Sequence, residues 1–500
     1  MLAIALAPGR AGGAELYSGN GLELRWDNSL RYGLAARIEA PSDAILANPN
    51  SDDGDRDFAA GVISSRFDLL SQLDVGEGDL GFHASAAAWY DTAYQRHTDN
   101  MSQATYNAGV PVGRFAPAVR TIYGQYAELS DAFLYDTVSL DDVPVSIRAG
   151  RQTLLWGESL FFDPDSIASA LVPVDYTRLT TGQDSYSNNV YLPVTQLVLT
   201  AQFSPNVTLT VYDQFEARSS RETGDGSYLS YLDFIGPGAA RLFLSSSRYL
   251  SLDDEGTVSA AGQVGAALHA SLGEADFGFY ALEYNAKDPV LTVAFAQSPQ
   301  NVRAAGSYGL VYAKHIVLYG LSASTALGDG TIAGEISLRE NAPLLIYAKK
   351  AGGGAMAQGY VDGDLFHIQA STRQPLGRSD LWETADLSAE IAADQVTGPE
   401  RPAAMDRFGM RARMLFEPHY FQILPNLDLT LPITLGYNFA GLGFSYYEQN
   451  EGTGDFQLGV SALYRSAWKA SLMLTGFIGT AQRQPLADRN FISLSLERSF

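Results

Sequence analysis

Apolar and polar residues alternate one for one along much of this 500-residue chain, and that period confines it to β-strands with one greasy face and one polar face. Leu427, Leu429, Leu431, Ile433, Leu435 and Tyr437 share one parity, while Asp428, Thr430, Pro432, Thr434, Gly436 and Asn438 share the other. The same pattern sets Leu22, Leu24, Trp26, Leu30, Tyr32 and Leu34 against Glu23, Arg25, Asp27, Ser29 and Arg31. It returns at Phe456, Leu458, Val460, Ala462 and Tyr464, and at Trp468, Ala470, Leu472 and Leu474. Aromatic residues gather at the ends of these runs, where a membrane interface would favour them.

A soluble sandwich would alternate equally well, so the connections decide. Tight links occur at 76–78, 139–142, 204–206, 273–274, 328–330, 376–379, 417–426 and 466–467. Between them lie long connections at 39–57, 93–122, 157–191, 217–260, 286–313, 348–360, 396–405, 439–453 and 481–488. Short turns on one rim and long loops on the other describe an up-and-down membrane barrel. The rhythm predicts a single all-β antiparallel barrel of about 18 strands, with 16 as the lower count. Closure removes the unpaired edges that an open sheet could not carry in lipid.

Composition narrows the function. With 33 Lys and Arg against 56 Asp and Glu, a net charge of -23 and no basic run, nucleic-acid binding is excluded as the chain's role. Disulfides, zinc thiolates and cysteine nucleophiles are excluded because there is no cysteine. Residues 1–14 read as the remnant of a secretory signal, apolar from Met1 to Ala7 and small-residue-rich up to Ala14, without the usual basic start. The barrel is therefore expected over 15–500, exported to the bacterial outer membrane, amid lipid and lipopolysaccharide. The final run from Phe491 to Phe500 is similar to the signal by which outer-membrane barrels engage their assembly machinery, with Arg498 at a place usually apolar.

Three stretches add a family. Asn50-Ser-Asp-Asp-Gly-Asp-Arg-Asp-Phe58, Gly150-Arg-Gln-Thr-Leu-Leu-Trp-Gly-Glu-Ser159 and Leu192-Pro-Val194, in this order and spacing, resemble the proteobacterial outer-membrane family catalogued as domain of unknown function 1302. The likeness spans nearly the whole mature chain. It implies neighbours in the genome from a second uncharacterised envelope family, number 1329, and exporters of the resistance-nodulation-division type, hence traffic of hydrophobic compounds or lipids. No catalytic residues and no cofactor come with it.

The polar parity supplies the expected lumen charges: Glu23, Arg25, Asp27 and Arg31 on the first strand, and Arg373, Asp386, Glu390, Arg407, Arg411 and Arg413 later. Opposed acids and bases would orient dipolar solutes, or pair and stiffen the wall. The third long connection is the expected gate: it opens Trp156-Gly-Glu-Ser-Leu-Phe-Phe162 and predicts a short helix from Asp163-Pro164 through Ile167 and Leu171, stopped by Pro173. Folded inward, Trp156, Phe161, Phe162, Ile167 and Leu171 would make a greasy constriction; the alternative is a plug that only stabilises the barrel. Tyr228, Leu229, Tyr231, Leu232, Phe234 and Ile235 suggest a second apolar lip or an outward patch.

Asp52, Asp53, Asp55 and Asp57 superficially match a calcium loop but lack its bidentate Glu, so a role in folding the loop is expected and no metal. His83 with Ser85, and His269 with Ser271, have the spacing of a base and nucleophile on one strand face, but the sequence does not identify the third group that should orient the imidazole, and no enzyme is expected. One parity conflict remains: Leu129 and Phe133 toward lipid would carry Asp131 there too. The expected function is a channel or facilitator for small hydrophobic or amphipathic molecules. The alternatives are a non-conducting component that docks a periplasmic or lipoprotein partner, and, remotely, a barrel hydrolase.

Overall fold

A computed structural model describes residues 14–19, 21–59, 61–161, 164–179, 190–295, 303–349, 355–398, 406–441 and 450–500. Its strands are β1 (Ala14–Gly19), β2 (Leu22–Arg37), β3 (Gly61–Glu77), β4 (Leu80–Asp91), β5 (Gln125–Leu140), β6 (Val143–Gln152), β7 (Val194–Ser204), β8 (Val207–Gln214), β9 (Arg241–Ser245), β10 (Arg248–Asp254), β11 (Val264–Leu272) and β12 (Ala275–Tyr284). They continue as β13 (Val290–Phe295), β14 (Ala304–Val311), β15 (Ile316–Leu327), β16 (Gly330–Lys349), β17 (Ala355–Leu376), β18 (Thr384–Val396), β19 (Phe408–Leu424), β20 (Leu427–Thr430), β21 (Ile433–Ala440), β22 (Gly454–Tyr464), β23 (Trp468–Ile478) and β24 (Phe491–Ser499).

Successive crossings pair antiparallel, and the sheet closes where β24 lies along β2, from Ser29 opposite Ser499 to Arg37 opposite Phe491. Pro432, which has no N–H to give the ladder, separates β20 from β21. Both halves still pair with β19 and β22, so they form one crossing. The closed barrel has 18 strands, as the connection rhythm predicts. Phe500 seals the seam by exchanging backbone hydrogen bonds with Asn28 at 2.9 Å each way. Arg498 stands over the rings of Trp468 and Phe500, 5.2 and 5.9 Å from their centroids.

Burial inverts the order of a soluble protein. Leu30, Phe67, Leu134, Phe279, Ile368, Leu458 and Leu494 are exposed on the outside, while Ser337, Gln369, Glu390, Thr434, Gln457 and Ser493 are buried inside. An outer wall this apolar is stable against hydrocarbon and not against water.

Three local expectations change. The turn expected at 417–426 shrinks to Pro425 and Asn426, because β19 continues to Leu424 and Asn426 takes a left-handed φ of 62° that closes a tight turn. The long connections at 217–260 and 286–313 are not irregular: β9, β10, β13 and β14 form a separate four-stranded sheet, with β10 and β14 parallel. Its core holds Ile235, Leu242, Leu250, Leu291 and Tyr308, with Leu232 and Phe234 packed against it, while Tyr228, Leu229 and Tyr231 join a second core, so the apolar residues of the fourth connection pack inward rather than forming an outward patch.

Asp131 is resolved by a bulge. Ala84 pairs with Ala132 but Ala86 with Leu129, so two residues of β5 face the single Ser85. Asp131 then bonds the Ser85 hydroxyl at 3.0 Å, Leu129 and Leu134 take the outer face, and Phe133 packs on His83 instead of lipid.

Candidate functional site

The inward fold of the third connection starts at glycines. Gly150 in β6 has φ 133°, and a Cβ there would lie 2.4 Å from the Ala132 carbonyl oxygen. Beyond it, Gln152 and Gln196 exchange side-chain-to-backbone hydrogen bonds, and Gln214 donates to the Leu171 carbonyl at 2.8 Å. These amides give the loop polar partners where it enters the lumen. Trp156 follows, packed on Tyr212 and Tyr280 with centroids 5.2 and 5.9 Å away. Gly157 turns the chain at φ 91°, with no room for a Cβ beside the Glu335 carboxylate.

From there the loop is pinned to the far wall. Glu335 of β16 accepts the N–H groups of Glu158 at 2.6 Å and Ile167 at 2.7 Å, and Glu390 of β18 accepts that of Leu160 at 2.6 Å. Arg339 donates to the Ser166 carbonyl at 2.7 Å, and Arg411 pairs with Asp165 at 3.4 Å and Asp394 at 2.8 Å. The expected helix is a 3-10 turn over Ile167–Ala170, followed by a short helix over Tyr176–Leu179.

Trp156, Ile167 and Leu171 are therefore buried against Val198, Tyr212, Ala267, Tyr280 and Leu318 of the wall, with Ile167 and Leu171 at 0% exposure. They form the core of the inserted loop. Phe161 is buried as well, and Phe162 lies outside the described residues.

The expected lumen charges divide into groups. Glu390 and Arg411 hold the loop, and Arg413 pairs with Asp455 of β22 at 2.6 Å. Arg25 pairs with Asp27 at 2.8 Å near the short-turn rim, where Glu23 pairs in register with Gly76. Arg373 is exposed, Asp386 bonds His419 at 2.9 Å, and Arg407 donates to the carbonyls of Val396 and Gly398 at the long-loop rim. Arg31 alone of these reaches the cavity described next.

That cavity, of about 230 Å³, lies between β2, β3, β4 and β24 and the underside of the long loops. Arg31, Arg66 and Arg178 face it with Trp89, Tyr94, Tyr123 and Tyr228; Asp68, Asp91 and Glu497 supply acids. Arg66 and Arg178 stand 4.6 and 5.1 Å from the Trp89 ring centre, so two cations share one aromatic ring. Tyr94 stacks on Tyr123 at 4.7 Å, and Phe58, Phe115, Val119, Leu229 and Phe491 back them as the apolar core of a cap. Arg66, Arg178 and Trp89 escaped the sequence reading, although the inward parity of β3 and β4 carries two of them.

The cap itself is tied down by buried charge. Arg37 bonds Asp55 at 2.8 Å, and Arg489, wholly buried, reaches Asp55 at 3.1 Å and the Tyr228 carbonyl at 2.8 Å. Of the two Ser and His spacings, Ser85 is held by Asp131 and His83 by Asp74 at 2.6 Å, while Ser271 bonds Asp276 and His269 stands against the Tyr280 ring. Each Ser is thus engaged by a carboxylate on a neighbouring strand, where a nucleophile would face its base.

Residues 1–500 match the family described as "Protein of unknown function (DUF1302)". The chain belongs to that family. Two of the three segments that carry the resemblance are, in this member, the anchors just described: Gly150 to Ser159 roots the inserted loop, and Asn50 to Phe58 roots the cap. No curated protein sequence matches it significantly. Among solved structures, it is similar to OccAB1 of Acinetobacter baumannii, at 10% identity over 95% of this chain and 96% of that one, with a TM-score of 0.46. It is also similar to the outer membrane channel DcaP of the same organism, at 11% identity over 98% and 100% with a TM-score of 0.36, and to OccK8 (OprE) of Pseudomonas aeruginosa, at 10% over 95% and 97% with 0.41.

Proposed function

We propose that this barrel sits in the outer membrane and passes small amphipathic acids, with the cavity beside Trp89 as the selecting site. The observation that supports it is the meeting of Arg31, Arg66 and Arg178 with an aromatic lining under the cap. Guanidinium groups suit a carboxylate, and the Trp and Tyr faces suit an apolar body. At about 230 Å³ the cavity is smaller than the roughly 300 Å³ of a drug-sized site, which fits one ring with a short acidic tail. The apolar belt is the lipid-facing surface, and the strand ending at Phe500 is the segment offered to the assembly machinery. Passage needs no cofactor, no energy source and no catalytic residue.

The test is flux of benzoate and of neutral benzyl alcohol into liposomes containing the purified chain. Charge-assisted hydrogen bonds are worth about 1.5–3 kcal/mol, so Arg31→Gln with Arg66→Gln should lower benzoate flux by roughly ten-fold or more and leave benzyl alcohol unchanged. Equal loss of both would oppose the assignment. The tightly pinned loop favours one second reading, a non-conducting barrel that docks a periplasmic or lipoprotein partner. Absence of all flux together with a stoichiometric co-purifying partner would select it.

A further inference from the structure

Five carboxylates from two separate loops meet inside the cap. Asp52, Asp53 and Asp57 come from the first long connection, and Asp225 and Asp233 from the fourth; all are at most 2% exposed. Oxygens of Asp52, Asp53 and Asp233 lie within 4.8 Å of one another. The second connection adds its own contacts, with the Asn100 amide donating to Asp53 at 3.2 Å and the Asn107 N–H at 2.7 Å.

Charge balance is the difficulty. Among the described residues, Arg56 is the cation in an ion pair with one of the five, and it holds Asp52. Arg37 and Arg489 are already engaged by Asp55. Both carboxylate oxygens of Asp57, both of Asp225 and Oδ1 of Asp52 are buried without a hydrogen-bond partner. Leaving so many acids unpaired in a dry interior is far costlier than any net stability a domain has. Protonation is one remedy, which would let Asp225 bond its neighbour Asp53. A cation is the other.

We infer that Asp52, Asp53 and Asp233, flanked by Asp57 and Asp225, form a calcium site that locks the long loops together over the luminal cavity. The donors are all oxygen and mostly charged, the preference of a hard cation. Calcium takes six to eight such ligands in irregular geometry, whereas magnesium demands a tighter octahedron and keeps its waters. The site holds whether or not the lumen conducts.

The test uses the full chain in detergent, stripped with a chelator and titrated with calcium by calorimetry, with bound metal counted by atomic emission. Roughly one calcium per chain is expected, in the parent and in a control with Asp141→Asn and Asp142→Asn on the short-turn rim. Asp225→Asn with Asp233→Asn should bind none. In chelator that variant should melt above the parent, because two buried charges are gone, and calcium should reverse the order. Calcium binding equal in parent and variant would overturn the site. Should the variant fail to fold, terbium on the parent decides: Tyr106 feels these carboxylates and should sensitise its luminescence, with calcium quenching it by competition. No luminescence above that of free terbium would overturn it as well.

Discussion

Buried carboxylates do opposite things at the two ends of the inserted loops. In the lumen, Glu335 and Glu390 each find donors aimed at them, the N–H groups of Glu158, Leu160 and Ile167. An acid so solvated fixes a loop, because the hydrogen bonds stabilise its charge. In the cap, Asp57 and Asp225 are as deeply buried but face other acids. The first arrangement is finished by protein alone. The second is complete only with protons or a cation, which makes the cap conditional where the inserted loop is fixed.

Gly157→Ala should be the most damaging, since its Cβ would meet the Glu335 carboxylate and cost the two N–H bonds. A loss of about 3 kcal/mol is expected, from roughly 1–3 kcal/mol per orphaned group. Protease cleavage within 157–179 should appear with it; an unchanged melting temperature and an intact loop would deny that Glu335 pins anything.

Next comes acidity. In chelator the native cap binds more protons than the unfolded chain, because Asp53, Asp57, Asp225 and Asp233 titrate above their ordinary values. Stability should then be fully present below about pH 4 and fall as pH rises through 7. Arg56, Arg489, Asp55 and Tyr106 are the other charged or titratable groups facing these acids. Proteolysis of the first and fourth loops should be faster at pH 8 than at pH 5 without calcium, and calcium should abolish the difference. Faster cleavage at pH 5 would contradict the sign.

Glu335→Gln should do less than Gly157→Ala. It keeps shape and one acceptor oxygen but loses the charge, for about 1–2 kcal/mol by thermal melting, and a greater loss than from Gly157→Ala would reverse the argument. Smallest of all is Arg498→Leu at the seam, where two exposed ring contacts are worth about 0.5–1 kcal/mol.

The barrel was legible because its wall obeys a period of two for hundreds of residues, and the short turns mark each reversal. The Asp131 conflict marked where plain alternation fails, and the structure supplies the reason, a bulge opposite Ser85. The inward loop was legible from its greasiness, since Trp156, Ile167 and Leu171 could not remain in water. Its partners were not: Glu335 and Glu390 lie far along the chain and look like any inward polar residue. Asp225 and Asp233 were equally silent, and without them the acids after Ser51 looked like an incomplete calcium loop. The sheet of β9, β10, β13 and β14 escaped because its strands are short and two of them pair in parallel across separate connections. Arg178 was hidden for a different reason: only the fold of the inserted loop brings it to the Trp89 face.

Single-channel conductance in planar bilayers decides whether the pinned loop sets what the closed barrel lets through. The parent should show small openings, and Glu335→Ala with Glu390→Ala should raise the conductance several-fold by freeing the loop. Two silent proteins, or two identical conductances, would contradict it.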